Sequence, residues 1–182
     1  MCIRDSTNTV VAFQDQKDIN SVLVEIPNIT SSPGVIPSAV WFEESSKITK
    51  IGISALKMRD NSNSDLFFHS NFKRLIGNSI EKNNKKNILN PNECGEKFFQ
   101  ILWANIPHKY EVKRLVLTAP IDSYKGYREW LVNLCEKISV DEIALVDEPT
   151  AASLGIDVPF VSKIMTLDIG GSTVDMLSLI HI

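Results

Sequence analysis

The chain has 182 residues, 43% hydrophobic and 23% charged, with a formal net charge of −3. That length supports a real core, and the charge balance excludes a basic nucleic-acid-binding surface as the main feature. No apolar run reaches the ~18 residues of a membrane span, and no signal-peptide stretch opens the chain, so a soluble, cytoplasmic protein is expected.

The first fifty residues read as strands and turns. "TNTVVAFQD" (7–15) and "NSVLVEI" (20–26) are rich in β-branched residues, and "IPNITSSPGVIPS" (26–38) supplies turn chemistry. "SAVWFEE" (38–44) and "KITKIG" (47–52) follow as a strand pair. "GISALKMRDNSNSD" (52–65) predicts a short helix running into a polar loop, and "SNFKRLIGNS" (70–79) another short helix stopped by Gly77. The Lys/Asn-rich stretch over 81–87 is a solvated loop. In "NPNECGEKFFQILWANI" (90–106) Asn90 can cap, Pro91 suits the first helical position, and Phe98, Ile101, Leu102 and Ile106 recur at helical spacing. The remainder alternates: strand "VKRLVLTAP", helix "SYKGYREWLVNLCEKI", strand "DEIALVDEP", helix "TAASLGI", strand "KIMTLDI". Strand–helix–strand order with short connections predicts a parallel sheet there. Cys2, Cys94 and Cys135 form no C-x-x-C pair and read as free thiols; His69, His108 and His181 lack metal-ligand spacing.

Three segments carry candidate chemistry. "LDIGGSTVD" (167–175) is strand, glycine turn, strand, and has no Walker lysine. Its glycines would let backbone amides approach phosphate oxygens, Ser172 and Thr173 add hydroxyls, and Asp168 ends an apolar strand where hydrated Mg²⁺ could sit. A plain hairpin with a Gly-Gly turn is the other reading. In "LVDEPTAASLG" (145–155) Glu148 stands at a strand-to-helix junction. Such an acid either supports the helix N-terminus, worth ~0.3–1 kcal/mol, or orients water or metal near a phosphate. In "FKRLIG" (72–77) Lys73 is either a solvated cation or a site residue.

Together, and in this order, the three segments resemble the nucleotide-binding domain of the DnaK-type (seventy-kilodalton heat-shock) chaperones, within the actin, hexokinase and heat-shock ATPase superfamily. "TNTVVAF" is similar to the tail of that family's first phosphate hairpin, and "LVLTAP" to the strand whose proline, here Pro120, joins an interdomain relay with an arginine, here Arg128. The resemblance implies an α/β fold: an actin-like ATPase (ribonuclease H-like) lobe with a mixed sheet flanked by helices. That lobe would comprise 7–34 and 111–177, with a smaller inserted α/β subdomain over 35–110. It implies ATP and Mg²⁺ as cofactors, with Lys73 and Glu148 catalytic, Asp168 and Asp175 at the metal, and Thr7, Asn8, Gly170, Gly171, Ser172 and Thr173 at the phosphates. The implied function is a fragment of a molecular chaperone ATPase, hydrolysing ATP to ADP in the full-length parent. The implied partners are unfolded client peptides and co-chaperones, with no nucleic acid and no membrane.

The chain departs from the family pattern at several points. Ser172 replaces the hairpin's third glycine, and residues 121–127 diverge after the proline. Ile3 falls at the position of a metal-binding Asp, and Asp5 at that of a phosphate-facing Gly, where a carboxylate would repel the anion. Residues 1–6 and 178–182 are read as non-native ends, so the expectation is a truncated fragment. A sugar or acetate kinase, an actin-like filament protein and a pseudo-ATPase adaptor share the fold. "KRLIG" paired with "EPTAA" argues against the first two; the adaptor stays open.

The chain as written is expected to lack ATPase activity and tight ATP binding, because Asp5 and Ile3 stand where phosphate and metal contacts are needed and the family's adenosine-binding lobe has no counterpart in it. Isothermal titration with Mg-ATP should give no saturable binding at micromolar affinity; a saturable isotherm would falsify this expectation.

Overall fold

The computed structural model describes residues 8–15, 17, 20–77, 89–107, 111–119, 124–155, 164–169 and 174–179. By its internal packing the chain divides into two compact units, one spanning Ser6–Glu111 and the other carrying Val112–Ile182.

The first unit is built from short strands, two helices and a 3-10 turn. β1 (Asn8–Val10) pairs antiparallel with β4 (Val35–Pro37), and β2 (Ala12–Phe13) with β3 (Val22–Leu23). β5 (Ala39–Glu43) is the centre of a three-stranded antiparallel sheet, flanked by β6 (Ile48–Ile51) and β7 (Phe68–Ser70). Ala39, Val40 and Trp41 are consecutive and all buried, as expected for a strand covered on both faces. α1 (Ile53–Asp60) covers one face, where Ala55 packs with Ala39 and Trp41 and with the partly buried Ile48, Leu56, Met58, Phe67 and Phe68. α2 (Pro91–Ala104) also packs on β5 and β6, and its Lys97 ammonium lies 4.5 Å from the centre of the Phe42 ring.

Local chemistry explains where these elements start. The Asn90 side chain accepts from the Glu93 amide while the Glu93 carboxylate accepts from the Asn90 amide, both at 2.9 Å, with Pro91 just inside the helix. At the β6–α1 junction Gly52 has φ 61°, a conformation that glycine alone enters cheaply. A Cβ there would stand 2.2 Å from the Ile29 carbonyl oxygen. That same oxygen accepts from the Ile53 amide, and Ser54 Oγ donates to the Asn28 carbonyl at 2.6 Å.

In the second unit, β8 (Arg114–Ala119) and β9 (Glu142–Asp147) form a parallel pair connected through α3 (Tyr124–Cys135). α3 buries Leu131, Leu134 and Cys135. α4 (Glu148–Leu154) follows β9 directly, and β10 (Ile164–Ile169) pairs antiparallel with β11 (Val174–Leu179).

The structure refines the sequence expectations. The segment at Lys73 is a four-residue 3-10 turn, Phe72–Leu75, rather than a helix. Asn71 enters it left-handed, Ile76 leaves it extended, and Gly77 has positive φ. β7, most of which falls between the two expected short helices, is a strand because it finds β5 as a partner. The protein is mixed α/β, but its strands form five small sheets among the described residues rather than one mixed sheet. The β8–β9 and β10–β11 pairs are linked by packing rather than by a shared hydrogen-bonded ladder, because α4 lies against all four strands. β11 runs through Ser178 and Leu179, which the sequence reading set aside. Residues 1–6, the Lys/Asn-rich loop, Pro120 and Ile121 to Ser123 lie outside the described residues.

Gly52→Ala should destabilise the protein by more than ~1 kcal/mol, since it combines a disfavoured φ with a backbone clash. Gly155→Ala is the control, because its Cβ would meet nothing nearer than 3.5 Å. Urea unfolding of both variants checks this; equal midpoints would remove Gly52 as a constraint.

Candidate functional site

In the first unit the structure brings two candidate residues together. Phe72 and Ile76 bury the 3-10 turn on either side of Lys73, with the Phe72 ring 5.9 Å from that of Phe98 in α2. The Gly77 amide donates to Asn92 Oδ1 at 3.0 Å, tying the end of the turn to the same helix. Anchored this way, the half-buried Lys73 directs Nζ to the backbone carbonyl of Asn8, 2.8 Å away. Lys73 and β1 are thus joined across 65 positions of sequence. A short turn with apolar anchors holds a cation in place better than an exposed helix face, where a lysine stem is free to sweep.

The second unit holds Glu148, Asp168 and Asp175. The register of the parallel pair sets Ala119 opposite Asp147, so both strands end at one level. α3 and α4 therefore begin at the same carboxyl edge, the usual position for ligands in open α/β sheets. Asp147 caps α4: Oδ1 accepts from the Thr150 amide and Oδ2 from the Thr150 hydroxyl, both at 2.8 Å. Pro149 is buried at the start of the helix, and Ser153 Oγ donates to its carbonyl at 2.8 Å. Glu148 is therefore not the hydrogen-bonding cap. Its Oε2 is buried, which a purely dipolar role does not require, since a solvated carboxylate serves a helix N-terminus as well.

Asp168 and Asp175 are directly opposed in the β10–β11 register. Thr7, Gly170, Gly171, Ser172 and Thr173 lie outside the described residues, as do Ile3 and Asp5.

Sequence reasoning missed two residues at this edge. Asp147, three residues before Thr150, carries a local capping signal that could have been found. Tyr127 in α3 carries none. It is partly buried and stacks obliquely on Trp130, with ring centres 5.6 Å apart. Burial first, and the negative charge of Glu148 second, push its phenol above the ordinary tyrosine range.

Among the described residues no group of three or more His, Cys, Asp or Glu is placed to hold a metal, and no helix is long and apolar enough to cross a membrane. Cys94 and Cys135 are buried free thiols. Burial and the nearby Glu93 push Cys94 up to about 12, with Lys97 opposing, and burial alone raises Cys135.

The described elements define a mixed α/β protein with a carboxylate-bearing edge formed by a parallel strand pair and its two helices. Similarity to known proteins narrows the class. The chain is 28% identical over 177 residues to the chaperone protein DnaK of Mycoplasmopsis synoviae, covering 94% of this chain and 28% of that protein. It is 31% identical over 161 residues to DnaK of Metamycoplasma hominis, covering 82% of the chain and 26% of the relative. For DnaK of Mycoplasmopsis agalactiae the figures are 30% over 179 residues, 94% and 28%. No protein-family model matches. The chain thus spans 28% or less of the length of these curated relatives, and nearly all of it takes part in the similarity.

Both described thiols should resist iodoacetamide at neutral pH in the native protein and react after unfolding. A thiol raised from 9.0 to about 12 supplies little thiolate, and its burial favours the folded state below pH 9, an advantage lost as pH rises towards 12. Mass spectrometry of the alkylated protein reads this; native labelling of Cys94 would contradict its burial.

Proposed function

We propose that this chain is part of the nucleotide-binding ATPase domain of a DnaK-type chaperone that binds Mg-ATP and, in the whole protein, hydrolyses it to drive protein folding. The observation that carries the reading is the similarity to DnaK along 94% of the chain, within which the three candidate segments keep the order expected for that domain. The buried Glu148 oxygen at the carboxyl edge of a parallel pair supports it independently. The assignment of 7–34 and 111–177 to one lobe, with 35–110 inserted, belongs to this proposal. So do a cytoplasmic location and binding of client peptides and co-chaperones by the whole protein.

The residues present suit the implied groups. Asp168 and Asp175, opposite one another in the register of β10 and β11, are hard oxygen-donor residues of the type that would hold Mg²⁺. When bound, Mg²⁺ would neutralise charge on the phosphates and polarise the reacting phosphoryl group. The chain's own residues then do the positioning. Glu148 would orient the attacking water as a fixed acceptor, and Gly170, Gly171, Ser172 and Thr173 would present backbone and hydroxyl donors to phosphate. Thr7 and Asn8 would do so from the first hairpin. Lys73, steadied on the Asn8 carbonyl, would hold a positive charge beside the water. Positioning and charge neutralisation supply most of the rate in such reactions.

In the full-length protein Lys73→Ala should lower turnover at least ~10-fold, about 1.4 kcal/mol of barrier, while ATP affinity changes much less. Single-turnover hydrolysis alongside nucleotide binding separates the two. Parental turnover in the variant would remove Lys73 from the catalytic role. Absence of Mg-dependent hydrolysis in the parent would favour the pseudo-ATPase adaptor.

A further inference from the structure

Residues 37 to 39 join the two sides of one contact. In the β1–β4 register Pro37 lies opposite Asn8, and proline has no N–H, so β4 offers the Asn8 carbonyl no donor at that position. Lys73 Nζ donates to it at 2.8 Å. Just beyond Pro37, Ala39 opens β5 opposite Ser70 of β7. From Ser70 the left-handed Asn71 turns the chain into the 3-10 turn that carries Lys73. The strand that holds the acceptor and the strand that leads to the donor are therefore paired to one continuous stretch of chain, 35–43.

Ser38 stands between these two pairings and is 2% exposed. Its Oγ lies 3.3 Å from Oγ1 of Thr9, the neighbour of Asn8 in β1. At that length the bond is weaker than an ordinary hydroxyl pair, and its weight comes from burial. Deprived of Thr9, the Ser38 hydroxyl would stay buried without a partner rather than pass to water. The link is also diagonal, because Thr9 itself stands opposite Ile36, so it resists sliding of β1 along β4. Ile36 and Val40 on either side are fully buried, which leaves Ser38 little room to move.

We propose that Ser38 is a positioning residue: through Thr9 it holds β1 in register and so fixes the Asn8 carbonyl on which Lys73 is seated. Its catalytic meaning rests on the ATPase reading, whereas the seat itself does not. A lysine charge beside a reacting water is useful only where its position is fixed, since a misplacement of about 1 Å can cost ~10²-fold in rate. Phe72 and Ile76 anchor the base of the Lys73 stem, and the Asn8 carbonyl holds its tip. Ser38 governs the tip.

Competitive labelling with a limiting amount of acetic anhydride, read by mass spectrometry, follows the seat on this chain. In the wild type Lys73 should react more slowly than the exposed Lys57 of α1. In Ser38→Ala and in the isosteric Thr9→Val its rate should rise about fivefold relative to Lys57, while Thr9→Ser, which keeps the hydroxyl, should stay protected. Unchanged protection in either hydroxyl-deleted variant overturns the proposal. So does equal acceleration of Lys73 and Lys57, which would report general loosening. In the full-length protein Ser38→Ala should lower kcat for ATP about fivefold with KM little changed, and should add nothing in a Lys73→Ala background. An unchanged kcat, or a loss that adds to that of Lys73→Ala, overturns the positioning role. A parent without Mg-dependent ATPase overturns the catalytic meaning, while the labelling still decides whether Ser38 holds the seat.

Discussion

Glu148 owes its place to the parallel register of β8 and β9. Six residues on each strand pair in step, from Arg114 opposite Glu142 to Ala119 opposite Asp147. At the open end an Arg114–Glu142 ion pair at 2.7 Å adds little energy, being exposed, but it matches the register. A slip of one residue would exchange the two faces of the strand and shift Glu148 off the level at which β8 ends. Glu148 is functionally interesting because the chain there has one conformation available, imposed by neighbours on both sides.

The first unit solves a different problem. Its strands are two to five residues long, and such pairs are marginal alone. β5 supplies the continuity, buried between α1 and α2, and Gly52 lets the chain turn from β6 into α1 while passing the Ile29 carbonyl at close range. Around that frame the short elements are set by single contacts: β1 by its pairing with β4 and by Lys73 on the Asn8 carbonyl. Removing a long cationic side chain from that carbonyl would loosen the strand as well as the turn, so Lys73 is tied to both structure and proposed chemistry.

Much of this architecture was readable from sequence wherever the signal is local. Asn90 and Pro91 announce α2, and alternating strand and helix segments from Val112 announce the parallel pair. The hairpin around Asp168 and Asp175 was legible from glycines between apolar strands. What was not legible depends on partners far away in sequence. β7 is too short to declare itself without β5, and the 3-10 turn looks helical until Asn71 and Ile76 are seen to confine it. The division into small sheets among the described residues also depends on which strands meet in space, which no local pattern announces. Among the site residues, Glu148 could be placed at a strand end, but the burial of its carboxylate carries no local mark.

α4 gives the acidic edge its coherence. Only seven residues long, it would not be stable by itself, and it exists because its flanks pack on β8, β9, β10 and β11. That packing makes the helix a spacer between the parallel pair, which fixes Glu148, and the hairpin, whose register opposes Asp168 and Asp175. Three carboxylate-bearing positions then belong to one packed body, and none can move far without disturbing α4. Burial of the Glu148 Oε2 atom costs free energy in the isolated protein. Under the proposed function the packing of α4 would turn that cost into positioning, because a carboxylate already fixed and partly desolvated need not be reorganised when the reaction begins.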